Sequence, residues 1–269
     1  QRVRTIAHVQ LSDIQEHYRR THTSDNLRFV IAGKMAGRKA QIKRMLESWQ
    51  LPRGERFAVP HDELHSGKPT LIRRKEASNL TFGWSMEIPR ELSDKEDAAL
   101  DCLNHILTGT MHSRIFGKAR KQGMAYGMFS DGSVGKYESS WDFGGEVECD
   151  KAERLFALIV SELQAVLRGE ITEAELEAAK SYGLGRYQMG AQTVAQISGF
   201  YTSRFFWDGY VKDYAKVPQE IKGTTLEQMN AVAREFIAAN TWALAGVSSG
   251  ERSDIVRLGE QLEGLFAQR

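Results

Sequence analysis

Residues 125–149, AYGMFSDGSVGKYESSWDFGGEVEC, predict a β-hairpin, and this hairpin decides the fold class. Two runs suited to strands, residues 125–130 and 138–149, flank a glycine-containing turn at residues 131–136. Side chains alternate between the two faces of a strand, so the odd-numbered apolar residues of the second run share one face. We expect that face to be buried; its members are Trp141, Phe143, Val147 and Cys149.

The hairpin lies within an order of strands and helices that is typical of an α+β fold. Strand-like runs precede it at residues 70–74 and 79–88, and another follows at residues 242–248. From residue 79 onward the order is strand, two helices, two strands, several helices and strand. This is a β-α-β-β-α-β pattern with inserted helices. We therefore predict a ferredoxin-like, mostly antiparallel sheet with helices packed on one face.

Helix starts are marked by Ser or Thr residues followed three positions later by Glu or Gln, the signature of a capping box. The four pairs are Ser12–Gln15, Ser93–Glu96, Thr172–Glu175 and Thr224–Glu227. Each pair precedes an amphipathic run, so each predicts a helix start. The clearest helical periodicity of apolar residues follows Asp150 and runs to Leu167.

A helix, an apolar run ending in glycine and a second helix occur twice in the chain. The first copy runs from Leu11 through a predicted strand at residues 27–32 to Gly33, and the second from Leu226 to Gly246. If this is a true repeat, residues 1–52 are the C-terminal tail of a preceding, mostly absent unit. Residues 53–69 are then a linker and residues 70–269 a C-terminal α/β unit. Chance similarity between short helix–strand–helix segments is the alternative.

Composition and charge exclude several classes of function. Lys and Arg number 36 and Asp and Glu 35, which is not the basic excess of a nucleic-acid-binding module. No stretch approaches the ~18 apolar residues that span a bilayer, so we expect no membrane span. Cys102 and Cys149 form no metal-type or redox-type pair and are expected to be buried free thiols. These features leave the cellular compartment open.

Residues 61–65, HDELH, place two histidines four positions apart, as two zinc-peptidase motifs do. The glutamate stands at the third position, which fits neither HExxH nor HxxEH, and the surrounding sequence favours a polar linker. His105 and His112 flank a helix end, with no third metal ligand suggested nearby. We therefore expect no metal site and no complete catalytic site in this chain.

The stretch Ser113-Arg-Ile-Phe … Gly123-Met-Ala-Tyr126 resembles a motif of the insulinase (pitrilysin-like, inverzincin) zinc metallopeptidases. In the C-terminal, non-zinc domain of that family, a helix of the form S-R-L-F-x-x-[IL]-R-x-x-x-G-L-A-Y leads into the next strand. Residues 11–33 are similar to the junction between the family's two units. Residues 169–180, GEITEAELEAAK, resemble the family's G-[VI]-[ST]-x-x-E-[LI]-x-x-A-K motif. The resemblance extends in order from Leu11 to Gly246.

The resemblance implies a fold of paired, repeated α/β units, of which the first carries the zinc site. Zinc is therefore expected in the parent protein or in a partner subunit, and no cofactor in this chain. The C-terminal unit would bind unfolded peptide substrates and close a chamber with the N-terminal zinc-bearing unit. Tyr126 matches the family tyrosine that reaches the substrate, and Arg120 matches its arginine partner. A surface left exposed by an absent first unit would favour homodimers.

The chain departs from the family motif in one respect. The family arginine and tyrosine stand seven residues apart, whereas Arg120 and Tyr126 are separated by six. One helical position turns a side chain by about 100°, so the shorter spacing predicts poorer convergence of the pair. It favours the alternative that the chain is an inactive structural or partner subunit of the same fold. A ferredoxin-like regulatory domain outside the family is a third alternative, against which the repeat and the motifs argue.

Overall fold

The computed structural model describes residues 2–58, 61, 63–207 and 209–266. The chain divides into two compact units, the first made of residues 1–61 and 190–214 and the second of residues 62–189 and 215–269. The predicted assignment of residues 1–52 to a preceding repeat stays a prediction. Val59, Pro60 and Asp62 of the predicted linker lie outside the described residues.

The described helices and strands alternate irregularly along the chain. The helices are α1 (Arg2–His8), α2 (Leu11–Thr21), α3 (Lys39–Glu47), α4 (Asp94–Leu107), α5 (Phe116–Lys121), α6 (Ala152–Leu167), α7 (Glu173–Met189), α8 (Val194–Trp207), α9 (Val217–Gly223), α10 (Leu226–Ala239) and α11 (Arg252–Phe266). The strands are β1 (Thr70–Arg73), β2 (Asn79–Ile88), β3 (Ala125–Val134), β4 (Ser139–Glu148) and β5 (Trp242–Ser248). The strands all belong to the second unit, whereas α1, α2, α3 and α8 belong to the first.

The strands form one sheet in the order β1-β5-β2-β4-β3. β2 pairs antiparallel with β4 and β5, and β3 pairs antiparallel with β4, whereas β1 runs parallel to β5. The four strands from Asn79 onward thus stand in the order fourth, first, third, second and are all antiparallel. This arrangement confirms the predicted ferredoxin-like pattern. The short strand β1 extends it at one edge.

One face of the sheet is apolar because buried apolar residues recur at alternate positions of its strands. In β2 the even-numbered residues from Leu80 to Ile88 are buried, and the residues between them are less buried or exposed. Trp141, Phe143 and Val147 of β4 are buried as predicted. Cys149 lies beyond the strand in a short 3-10 turn and is exposed, so the prediction that it is buried was wrong. The sheet therefore has a core face and a second, open face of mostly polar and small side chains, to which Phe129 adds an exposed ring.

Helices α4, α6, α10 and α11 supply the other half of the core. Fully buried residues on them include Leu103, Phe156, Leu163, Phe236 and Leu262. Burying one such side chain contributes about 1.5–3 kcal/mol. A buried hydrogen bond of 2.8 Å from Trp141 Nε1 to Asn104 Oδ1 ties α4 to β4. This packing confirms the predicted sheet with helices on one face.

Two of the predicted helix starts are correct and two are displaced. Ser93–Glu96 and Thr172–Glu175 form the predicted reciprocal hydrogen bonds. α10 is capped by Thr225 and Gln228, one position after the predicted pair: Thr225 Oγ1 accepts from the Gln228 amide (3.2 Å), whereas Thr224 is the C-cap of α9. α2 begins at Leu11, where the Gln10 amide donates to the Asp13 carboxylate (2.8 Å), so Ser12 lies inside the helix.

The hairpin turn is also displaced. The prediction placed it at residues 131–136, but β3 continues to Val134 and the turn closes with the Gly135 amide donating to the Glu138 carbonyl (2.8 Å). The register pairs Ser133 with Ser140 and Asp131 with Asp142, so β3 is longer than predicted, whereas β4 is one residue shorter than predicted at each end. Of the two glycines assigned to the turn, Gly132 therefore lies inside β3 and only Gly135 lies in the turn.

The first unit contains helices with little burial of their own. Among its described residues, α2, α3 and α8 have no buried side chain. The predicted strand at residues 27–32 is wrong, because these residues do not pair in a ladder with any other described segment. Ile14 and Tyr18 on α2 are 58% and 59% exposed. No helix in the described part of the chain is long and apolar enough to cross a membrane.

Candidate peptide-binding site

The junction between α5 and β3 positions both sequence-predicted site residues. α5 ends in a Schellman motif, in which the Gly123 amide donates to the Arg120 carbonyl and the Met124 amide to the Ala119 carbonyl. Gly123 has φ +61°, a left-handed conformation that glycine adopts without strain. Buried Ala119, Met124 and Ala125 anchor the turn on both sides. The chain therefore reverses within a few residues and enters the sheet.

Tyr126 is the extra residue of a β-bulge at the start of β3. Ala125 pairs with Val147 and Gly127 with Glu146, which leaves Tyr126 without a partner in the ladder. Its side chain is 84% exposed. A bulge re-aims the side chain that it carries, and here it directs a phenol into solvent at the edge of the sheet.

Arg120 and Tyr126 lie in direct contact despite their shorter spacing. The guanidinium carbon of Arg120 stands 4.3 Å from the centroid of the Tyr126 ring, within the range of a cation–π contact. Arg120 Nη1 also donates to the Tyr126 carbonyl at 3.0 Å. The expectation that the missing residue would separate the pair was therefore wrong. The Schellman turn and the bulge bring the two side chains together.

The helix that carries Arg120 is fixed to the rest of the second unit by ion pairs. Arg114, just before α5, donates two hydrogen bonds to the Glu175 carboxylate at 2.6 and 2.7 Å and one to the Glu170 carbonyl. The Arg114 hydrogen bonds hold the pKa of Glu175 at about 2, well below its usual value of 4.5. Lys118 pairs with the nearly buried Glu162. Sequence reasoning saw Arg114 only as part of a motif and missed its role as an anchor.

The described residues do not supply a catalytic metal centre. No group of three His, Cys, Asp or Glu side chains among them could hold a metal ion, so the residues present do not fit zinc. His61 and His65 are exposed in irregular chain. His105 is half-buried, its ring edge against Tyr182, and burial, followed by the charge of Arg186, lowers its pKa to about 4. What the Arg120–Tyr126 junction presents to solvent is a phenol hydroxyl beside a cation.

The open face of the sheet beside Tyr126 carries further exposed groups that sequence reasoning missed. The Phe129 ring is 55% exposed and lies across Gly144, where a Cβ atom would come within 2.6 Å of it. Asp131 stands directly opposite Asp142 in the ladder. The pKa of Glu87 is raised, first by burial and then by the charges of Glu138 and Asp142. The two-residue period of the strands could have predicted that these residues share the open face. Which of them are neighbours follows only when the strand register is known.

The family model for the peptidase M16 inactive domain matches residues 8–182 of this chain. Comparison with curated protein sequences gives no match.

Solved structures share the fold at low sequence identity. A protease from Helicobacter pylori is 17% identical with a TM-score of 0.74, covering 90% of this chain and 60% of its own. The peptidase M16 inactive domain from Pseudomonas fluorescens is 16% identical with a TM-score of 0.74, covering 91% of this chain and 59% of its own. A chain of Complex III2 from Candida albicans is 10% identical with a TM-score of 0.77, covering 94% and 63%. This chain thus spans about 60% of the length of these proteins.

Proposed function

Since the chain belongs to the family of peptidase M16 inactive domains, we propose that it binds peptide substrates for a zinc-bearing unit of the same family. That unit precedes this chain in the parent protein or belongs to a partner subunit, and the two together enclose the peptide in a chamber. The observation that carries the proposal is the Arg120–Tyr126 contact, which presents a phenol hydroxyl from a rigid junction.

Tyr126 has a defined task in this proposal. Its hydroxyl donates a hydrogen bond to a peptide carbonyl, and the adjacent Arg120 guanidinium favours negative charge developing on that oxygen. Arg120 already donates to the Tyr126 carbonyl and covers its ring, so little side-chain freedom is lost when peptide binds. The zinc of the catalytic unit would supply the activated water, for which this chain offers no ligand set.

The first test is cleavage of fluorescein-labelled casein peptides by the full-length gene product, with and without a zinc chelator, beside this chain alone. We expect chelator-sensitive cleavage by the full protein and none by the chain alone. Cleavage that persists with chelator would contradict the assignment of hydrolysis to a zinc unit.

The second test isolates the role of Tyr126. Removing its hydroxyl with Tyr126→Phe should weaken binding of the casein peptides to this chain by about threefold to tenfold, the worth of one hydrogen bond. Tyr137→Phe, at the hairpin turn, is the matched control and should leave the affinity unchanged. Equal affinities for Tyr126→Phe and the unaltered chain would remove Tyr126 from the proposed site.

A second candidate function is an inactive structural subunit of an assembly. The likeness to a chain of Complex III2 from Candida albicans, at a TM-score of 0.77, favours it as a use of the same fold. The six-residue spacing of Arg120 and Tyr126 is a further departure from the catalytic family pattern. The upstream sequence of the parent protein separates the two candidates, because an HxxEH motif there supports a peptidase. Failure of both casein tests supports the structural subunit.

A further inference from the structure

The turn between α5 and β3 contains one peptide unit that governs its direction, the unit that joins Gly123 to Met124. The amide of this unit, that of Met124, donates to the Ala119 carbonyl at 2.9 Å. The carbonyl of the unit, that of Gly123, lies beyond the end of α5 and accepts no backbone amide within the described residues. Carbonyls left over at the end of a helix are satisfied by water or by a side chain, often that of a lysine or arginine.

The side chain of Lys151 supplies the hydrogen bond that this carbonyl accepts. Lys151 Nζ donates to the Gly123 carbonyl at 3.0 Å, although the two residues are 28 positions apart in the chain. The same ammonium group pairs with Glu148 Oε2 at 2.7 Å. Hydrogen bonds from a charged donor are stronger than those between neutral groups. The Gly123–Met124 peptide unit is therefore held at both ends, through its amide by α5 and through its carbonyl by Lys151.

The backbone of Lys151 belongs to a well-packed part of the second unit. Lys151 ends the short 3-10 turn Cys149–Lys151 and directly precedes α6, whose first residue, Ala152, is buried. The pairing of Ala125 with Val147 brings the end of β4 beside the start of β3, which places Lys151 within reach of the turn. The hydrogen bond thus ties the turn to the junction between β4 and α6.

This support matters because the turn is built on glycine. Gly123 has φ +61°, and glycine adopts positive and negative φ about equally well, so the peptide unit that follows it has unusual freedom to rotate. The Gly123 amide donates to the carbonyl of Arg120, and the chain that follows carries Tyr126. Rotation of the peptide unit would change the direction in which the chain enters β3. It would also change the separation of the Arg120 guanidinium and the Tyr126 ring.

We infer that Lys151 is a positioning residue for the Arg120–Tyr126 pair. It holds the Gly123 carbonyl and thereby keeps the guanidinium over the phenol ring, and it acts on peptide only through that pair. Glu148 in turn directs the Lys151 ammonium group. This inference rests on the proposed function, because the pair is the proposed peptide-binding site.

Lys121 provides the matched control for the charge of Lys151. It is an exposed lysine at the end of α5, close to the same turn in the chain. No hydrogen bond joins its side chain to the turn within the described residues. Replacing Lys121 therefore removes a nearby positive charge without removing the support of the Gly123 carbonyl.

The first measurement is the affinity of this chain for the fluorescein-labelled casein peptides, determined by fluorescence anisotropy. Lys151→Met, which keeps the length of the side chain but removes the donor, should weaken binding by about twofold to fivefold, less than Tyr126→Phe does. Lys151→Arg keeps a charged donor and should restore most of the affinity. Lys121→Met should leave the affinity unchanged.

A double variant tests whether Lys151 acts through the pair. In the Tyr126→Phe background the hydroxyl is already absent, so adding Lys151→Met should weaken binding no further. Additive losses in the double variant would show that Lys151 contributes to binding independently of Tyr126 and would overturn the inference. Equal losses from Lys151→Met and Lys121→Met would assign the effect to charge alone and would overturn it as well.

The second measurement follows Tyr126 without any peptide. NMR spectra of the chain with isotope-labelled tyrosine contain ring signals of Tyr126, which are assigned by their loss in Tyr126→Phe. Lys151→Met should shift these signals, because the guanidinium no longer stays over the ring, whereas Lys151→Arg should leave them in place. The signals of Tyr137, at the hairpin turn, should stay unchanged in both variants and show that the fold is intact.

The two measurements separate failure of this inference from failure of the proposed function. Unshifted Tyr126 signals in Lys151→Met would overturn the inference. Full affinity of Lys151→Met for peptides whose binding Tyr126→Phe weakens would overturn it and leave the proposed function standing. If Tyr126→Phe itself binds the peptides as tightly as the unaltered chain, the proposed function fails, and the Tyr126 signals alone decide whether Lys151 positions the pair.

Discussion

The segment from α2 to α3 and the segment from α10 to α11 share one order of elements but differ in burial. Each has a helix, an apolar run ending in glycine and a second helix. In the later segment the run is β5, held between β1 and β2, and both helices bury a full apolar face. In the earlier segment the run forms no strand, and neither helix has a buried residue.

The difference shows that whether a segment forms a strand depends on the strands available to pair with it as much as on its own residues. Residues 27–32 are as apolar as β5, yet Phe29 and Ile31 are 45% and 47% exposed. A helix forms its backbone hydrogen bonds internally, so α2 and α3 form without any buried residue, whereas a strand needs an adjacent chain. The comparison can be tested with variants at matched positions of the two segments.

The largest expected effect comes from truncating matched apolar residues. Leu244 in β5 is 1% exposed, and Ile31 stands at the corresponding place before its glycine. Leu244→Ala should lower the free energy of unfolding of the second unit by about 2–5 kcal/mol. Ile31→Ala should change stability by less than about 0.5 kcal/mol. Denaturant titration measures both, and comparable losses would break the comparison.

Replacing either of the matched glycines, Gly33 and Gly246, by alanine should lower the free energy of unfolding, but for different reasons. A Cβ at Gly246 would lie 2.8 Å from Leu80 and 3.1 Å from Ile255, so Gly246→Ala should cost about 1–3 kcal/mol through overpacking. Gly33 has open space but φ +148°, so Gly33→Ala should cost about 1 kcal/mol through backbone strain. Combining Gly246→Ala with Leu80→Ala should give less than the sum of the separate losses. Additive losses in that double variant would contradict the packing explanation.

Helix caps sharpen the same contrast at a smaller scale. Ser93 caps α4 through a reciprocal hydrogen-bond pair with Glu96, so Ser93→Ala should cost about 1 kcal/mol of unfolding free energy. Ser12 carries the same motif but lies inside α2, so Ser12→Ala should be neutral or slightly stabilising. Thermal unfolding followed by circular dichroism tests both, and a loss at Ser12 equal to that at Ser93 would restore Ser12 as a cap.

A separate expected effect is a dependence of the stability of the second unit on pH. Hydrogen bonds from Arg90 and Arg114 hold the pKa values of Glu96 and Glu175 at about 2, below the usual 4.5. The unfolded chain therefore binds more protons between these values, and the stabilisation is present above pH 4.5 and lost as the pH falls toward 2.

Glu175→Gln should reduce stability at pH 7 and flatten its decline between pH 4.5 and 2. Glu173→Gln, an exposed neighbour on α7, is the control and should keep the original slope. Denaturant titrations across this range measure the slope, and an unchanged decline in Glu175→Gln would show that the ion pair with Arg114 does not stabilise the fold.

Sequence predicted the strands of the second unit well because apolar residues recur at alternate positions in them, most regularly in β2 and β5. The displaced turn and the displaced cap of α10 were local choices between near-equivalent residues, Gly132 or Gly135 and Thr224 or Thr225. The register of β4 is the one that buries Trp141 and Phe143. That register is known only once the helices that cover these side chains are in place.

The candidate site was predictable as residues but not as geometry. Family resemblance selected Arg120 and Tyr126, and counting along the helix predicted that they would diverge. Their contact depends on the left-handed Gly123 and on the bulge at Tyr126, neither of which changes a residue count. The position of β3 at one edge of the sheet could not be predicted for a similar reason. The order of strands in a sheet depends on how the whole chain packs and not on any one segment.

The place of β5 between β1 and β2 sets the order in which the sheet can be completed during synthesis. β2, β3 and β4 come from one contiguous stretch, whereas β5, which joins β1 to them, ends at Ser248. At about 5–20 residues per second, the ribosome needs roughly 5–20 seconds to extend the chain from β4 to the end of β5. Throughout that interval the inner edge of β2 has no β5 to pair with, so its backbone groups are open to pairing with other chains.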